Sequence, residues 1–181
     1  MFALFTFSAC SEDDEQAIGD TNPTEELDNI VETAQGNDAL SALVAALTTA
    51  DLNDDSDLIG TLSGAGPFTV FAPTNDAFGM LANGTVDTLL KPENKATLTK
   101  VLTCHVVAAD AMSMAIKGMV DDDGGTHPVP TVGGCTLQAT YDGDTIMLED
   151  ERGRTAKVTI ADVEQSNGVI HVIDTVLLPA M

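Results

Sequence analysis

The chain predicts an α+β domain, and three observations predict it. In the first half, apolar residues recur at helical spacing, as in Leu40, Leu43, Val44 and Leu47. From about Val129 onward the apolar period falls toward two, and turn pairs such as Gly133-Gly134 and Arg152-Gly153 divide the runs. Helices followed by a series of strands argue for α+β and against a doubly wound parallel sheet.

Taken in order, residues 1–25 stand apart from a domain over 26–181, with Ser11 to about Glu25 forming a polar, acidic tether. Glu25 to Gln35 reads as a helix ended by Gly36-Asn37, and Asp38 caps a second. Leu58, Ile59 and Leu62 give a short helix. Phe68, Val70 and Ala72 alternate with Thr69 and Phe71, which reads as a strand that Pro73 stops. Thr74 then sits at a helix N-cap, its hydroxyl placed to accept from the N–H of Ala77, and Thr74 and Asn75 read as structural polar residues. Thr85 caps a turn, Pro92 opens a helix carrying Leu98, Val101 and Leu102, and that helix runs into a strand at 102–107. Ala111 to Met119 holds one helical turn and residues 121–125 an exposed loop. Strands follow at Val129–Val132, Cys135–Tyr141, Thr145–Glu149 and Ala156–Val163, with a hairpin or pair of connected strands at the end.

Three segments carry a family resemblance. Gly66 to Phe78 reads GPFTVFAPTNDAF, Leu102 to Val107 reads LTCHVV, and Asn167 to Pro179 reads NGVIHVIDTVLLP. In this order and spacing the chain, from about Leu27 to Pro179, resembles the fasciclin-like adhesion domain. The resemblance implies a single domain with N-terminal helices packed on a β-sandwich-like pair of sheets, a binding role, and no catalytic mechanism. It also implies a recognition element of an acid followed by aliphatics, here Asp174 with Val176 and Leu177. Thr175 stands where the family carries an aliphatic, a departure from integrin-type recognition.

The closing run is apolar almost throughout, as suits a strand buried on both faces. His171 and Asp174 interrupt it, and a buried polar group needs a partner, so His105, His171 and Asp174 are expected to share polar contacts in the core. That role is structural: no Gly-x-Ser-x-Gly elbow, His-Glu-x-x-His or phosphate-binding loop occurs, and neither a catalytic residue nor a cofactor is predicted. Residues 51–62 begin like a calcium loop but place Ser56 where the sharp turn needs Gly and Leu62 where the bidentate Glu belongs, so no metal site is predicted.

At 181 residues the chain holds one domain and a tail. With 44% apolar residues but only 4% aromatics and no Trp, its core must be aliphatic. Lys and Arg number 7 against 29 Asp and Glu, a net charge of −22, which disfavours nucleic acid and direct binding to anionic lipid. Cys10 ends an apolar start at Ser8-Ala9-Cys10, which resembles a bacterial lipoprotein signal, so it is the candidate lipid acceptor, with a free thiol on a tail as the alternative. Cys104 and Cys135 remain as an even pair, compatible with a disulfide or with two buried thiols. The expected protein is a monomeric, extracytoplasmic binding domain at a bacterial periplasm or cell surface. It would be membrane-held through Cys10 and contact a protein or polysaccharide. An envelope hydrolase and an unanchored structural or antigenic protein are its rivals.

Overall fold

The computed structural model describes residues 27–52, 57–81 and 84–180. The elements are α1 (Ile30–Gln35), α2 (Ser41–Asp51), α3 (Leu58–Ser63), β1 (Phe68–Pro73), α4 (Asn75–Gly79), α5 (Thr85–Leu89), α6 (Lys95–Thr103), β2 (Val106–Val107) and α7 (Ser113–Asp122). β3 (His127–Pro130), β4 (Thr136–Asp142), β5 (Thr145–Glu149), β6 (Thr155–Gln165) and β7 (Gly168–Ile173) follow.

The strands form one seven-stranded sheet in the order β2-β1-β7-β6-β5-β4-β3. Its one parallel pairing, β1 with β7, runs in register from Phe68 opposite Gly168 to Pro73 opposite Ile173, and so lays two of the three family-like segments side by side. Their approach is close: Gly168 has φ +154°, and a Cβ there would collide with the carbonyl oxygen of Phe68.

Both strands are buried on two faces, which explains their near-continuous apolar character. Val70, Ala72, Ile170 and Val172 face a core supplied by α1, α2, α3 and α6. Phe71 and Ile173 face a second core with Leu137, Ile146, Leu148, Ile116 and Val120. The expected pair of sandwich-like sheets is thus two halves of one sheet folded across this second core. β6 belongs to both halves: its first residues pair with β5, and its remainder pairs with β7 through register shifts between Val158, Ile160 and Val163. Asp162 lies in this irregular stretch with φ 58°, a left-handed conformation in which Asp is tolerated better than most residues.

The free edges of the two halves also meet. Val132 N donates to Val106 O at 2.8 Å and Gly133 N to Thr103 O at 3.0 Å. A Cβ on Gly133 would stand 2.7 Å from Thr103 Oγ1 and 2.8 Å from Cys104 N, so this approach requires glycine. Cys104 and Cys135 are joined beside it as a disulfide, their Cα atoms 5.5 Å apart.

Several boundaries differ from the sequence reading. Among the described residues the first helix begins at Ile30, after non-helical residues 27–29, because Asn29 and Glu32 form a reciprocal capping box. Asn37 caps a 3-10 turn at Asp38–Leu40, and α2 starts only at Ser41. The 102–107 strand shrinks to Val106–Val107, since α6 continues to Thr103. The single turn expected near 111–119 is the ten-residue α7. In the closing segment only Gly168–Ile173 is a strand.

Candidate functional site

The closing segment leaves the sheet after Ile173 and is held by side chains from the end of α6 and from the turn between β5 and β6. His105, 2% exposed at the end of α6, sets its nitrogens against backbone: Nδ1 donates to Val101 O at 2.8 Å and Nε2 accepts from Leu177 N at 3.0 Å. Burial above all lowers the pKa of His105 to about 4, against the opposing bond to Val101. Asp150 is also buried. It accepts from Arg152 N, Arg154 N, the Arg154 guanidinium and Leu178 N at 2.8–3.0 Å. Burial pushes the Asp150 carboxyl up, but the bonds from Leu178, Arg154 and Arg152 outweigh it and hold the pKa below the ordinary value. Arg154 Nη2 reaches on to Val176 O at 2.6 Å, and Arg152 Nε donates to Pro179 O at 2.9 Å. The Asp150–Arg154 pair was not read from the sequence: Asp150 falls in an acidic turn that looks solvated.

This geometry corrects the recognition element. Val176 and Leu177 are each 1% exposed and pack into the cores, so neither side chain is presented to a partner. Asp174 is half-buried, and its Oδ1 accepts from Lys157 N at 2.9 Å and Thr175 Oγ1 at 3.0 Å. It bonds neither His105 nor His171. The closing segment turns out of the sheet at this point, and the carboxylate meets the backbone of β6 instead.

His171 is fully buried in β7. Its Nε2 donates to Ala111 O at 2.8 Å, its Nδ1 accepts from Asp162 N at 3.2 Å, and its ring stacks on Phe71 with centroids 5.6 Å apart. Burial lowers its pKa, outweighing the Ala111 bond. Both buried rings are therefore neutral tautomers with both nitrogens committed to backbone. The third, His127, lies apart on β3, where Nδ1 meets Asp123 Oδ2 at 2.6 Å.

Thr74 Oγ1 accepts from Ala77 N at 3.3 Å. Asn75 reaches across to α2, whose own N-cap residue, Leu40, has no capping side chain. Its Oδ1 accepts from Ala42 N at 2.9 Å, and Nδ2 donates to Asp38 O and Ser41 Oγ. Asn167, read only as a turn residue, ties three segments: Oδ1 accepts from Ile30 N, and Nδ2 donates to Leu62 O and Gly64 O.

Among the described residues no group of three or more His, Cys, Asp or Glu could hold a metal ion, and no helix is long and apolar enough to cross a membrane. Cys10 lies outside the described residues, as do Asn53 to Ser56 of the calcium-like stretch. A cavity of about 240 Å³ with apolar walls lies between α2, α4, α5 and α6, and His105 is among the residues that line it.

Fold and site together define an α+β scaffold whose buried polar groups fasten its own segments. Residues 38–179 match the model of the fasciclin domain, and the chain belongs to that family, which is known from cell-adhesion and cell-surface antigenic proteins. Protein sll1483 of Synechocystis sp. is 42% identical over 93% of this chain and 83% of its own length. Cell surface glycolipoprotein MPT83 of Mycobacterium tuberculosis is 37% identical over 84% of this chain, which spans 61% of that relative. A solved FAS1 domain pair from the insect cell adhesion molecule fasciclin I shares the fold, with TM-score 0.59 and 22% identity over 76% of this chain and 45% of that one.

Proposed function

We propose that the chain is an extracytoplasmic adhesion or binding protein of the cell envelope, contacting a protein or polysaccharide and held to the membrane through a lipid on Cys10. The observation that carries the reading is family membership shared with a relative described as a cell surface glycolipoprotein, at 37% identity over 84% of this chain. Local chemistry supports it. His105, His171 and Asp150 each bond backbone and leave no ring nitrogen or buried carboxylate free for proton transfer.

With Val176 and Leu177 buried, the contact falls to exposed features such as Asp121–Asp123 and the β4–β5 turn with Asp142 and Asp144. A net charge of −22 favours partners with basic faces. The test is capture of envelope components by the purified chain, followed by affinity for the captured partner across a salt series. Affinity falling with salt supports an electrostatic contact; affinity constant or rising with salt refutes it. Metabolic labelling with a palmitate analogue addresses the anchor: equal labelling of native protein and Cys10→Ala would exclude Cys10.

A further inference from the structure

We propose that the cavity between α2, α4, α5 and α6 binds an aliphatic monocarboxylate, its chain inside and its carboxylate on the ammonium of Lys95. This goes beyond the adhesion reading and does not depend on it.

The cavity comes first. Its volume of about 240 Å³ exceeds the roughly 150 Å³ at which an apolar protein cavity already admits benzene. Leu43, Phe78, Leu90, Leu98, Val101 and Val176 are among its walls. His105 also lines it, but both ring nitrogens are occupied by Val101 O and Leu177 N. The walls thus offer no side-chain hydrogen bond to a guest, and an aliphatic chain suits them. One wall is weakly packed. None of the residues of α5 is buried, and its N-cap, Gly84, provides no capping side chain. Displacing α5 therefore exposes few buried contacts and gives a way in.

The second observation is independent. Lys95 Nζ is shielded from solvent yet has no hydrogen-bond partner among the described residues. A desolvated ammonium without an acceptor is unfavourable, and a carboxylate would supply charge-assisted bonds. Lys95 opens α6 one turn before Leu98 and two turns before Leu102, both cavity walls, and so shares their helix face while standing outside the ring of wall residues. The rise from Lys95 to Leu102 is about 10 Å, which separates a headgroup at the helix start from a chain laid along it. At −22 the protein repels anions at long range, so the carboxylate must be recognised at contact distance.

The experiment is calorimetry on the full chain with decanoate and with decanol, at ~0.15 M salt, where the Debye length is about 8 Å. Lys95→Met and Ala42→Met are tested alongside, with a urea melt of each to show that it is folded. Ala42 is a half-buried wall residue of α2, so the longer side chain enters the cavity. Native protein is expected to bind decanoate at least tenfold more tightly than decanol. Lys95→Met should erase that preference while keeping decanol affinity, and Ala42→Met should weaken both ligands at least tenfold. Lys95→Gln serves if Lys95→Met does not fold. No binding of decanoate, equal affinity for the two ligands, a preference that survives loss of Lys95, or indifference to Ala42→Met would each overturn the proposal.

Discussion

Lowering the pH should destabilise this domain through His105, over a window set by its ordinary pKa of 6.5 and its folded-state pKa of about 4. The neutral ring accepts from Leu177 N and donates to Val101 O inside the core. A proton added at Nε2 would face the Leu177 N–H, strand that donor and place a charge out of reach of water. Folding accordingly lowers the pKa from 6.5 to about 4. Between those values the unfolded chain binds the proton and the folded chain does not, so stability rises with pH across the window. The stabilisation is fully present above pH 6.5 and is lost as pH falls toward 4. Each pH unit is worth about 1.4 kcal/mol, so descending from 6.5 to 5 removes about 2 kcal/mol and the whole window about 3 kcal/mol. His171, whose pKa burial also lowers, adds a loss of the same sign.

Acid also relieves the self-repulsion of a chain with pI ≈ 4.1, which acts in the opposite direction, so the assay must isolate the ring. Urea midpoints of native protein and His105→Gln, measured from pH 7 to 5, do this by difference. The stability advantage of the native protein should shrink by about 2 kcal/mol over that range. Ring-proton NMR of the native protein should show His105 still neutral at pH 5. A constant advantage, or a His105 ring titrating near 6.5 in the folded state, refutes the reasoning.

Replacing Cys104 and Cys135 together by Ala should cost about 3–4 kcal/mol, from the loop entropy of a bridge spanning 31 residues, read as a lowered urea midpoint. An unchanged midpoint would show that the apposed sheet edges hold without it. Asn167→Ala should cost about 2–4 kcal/mol, since it strands Ile30 N, Leu62 O and Gly64 O together. Hydrogen exchange at the Ile30 amide should rise more than at β7 positions such as Val169 and His171; uniform change across the domain would contradict a local role.

The fold was legible where pattern and partner lie close in sequence. The β1 strand, its stop at Pro73 and the Thr74 cap follow from residues within a few positions of one another, and so do the turns that separate β3 to β6. What stayed hidden depends on contacts between distant residues. Asp150 sits in a stretch reading LEDERGR, where nothing local distinguishes a buried ion pair from a solvated turn. One of the donors that satisfies it in the core is Leu178 N, 28 residues later. Likewise Asp174 with two following aliphatics has the local form of a recognition element, yet Val176 and Leu177 complete the two cores. An apolar pair shows only that it avoids water, not whether a partner or the chain itself provides the shelter.

One arrangement explains why the family-like segments carry so many polar residues. Two of the longer helices, α2 and α7, follow the N-cap residues Leu40 and Met112, whose side chains make no capping bond. Each is capped from outside: Asn75, just after β1, accepts from Ala42 N, and Asp162, in β6, accepts from Ser113 N at 2.7 Å. His171 then bonds Asp162 N and Ala111 O, and Asn167 takes the N-terminus of α1. A helix end satisfied by a distant side chain cannot be satisfied until the sheet has formed, so these bonds couple helix formation to strand pairing. Residues fixed by such duties cannot also vary to suit a ligand. The recognition proposed above is then left to exposed loops and to the cavity beside α5, and a scaffold so divided can serve different partners.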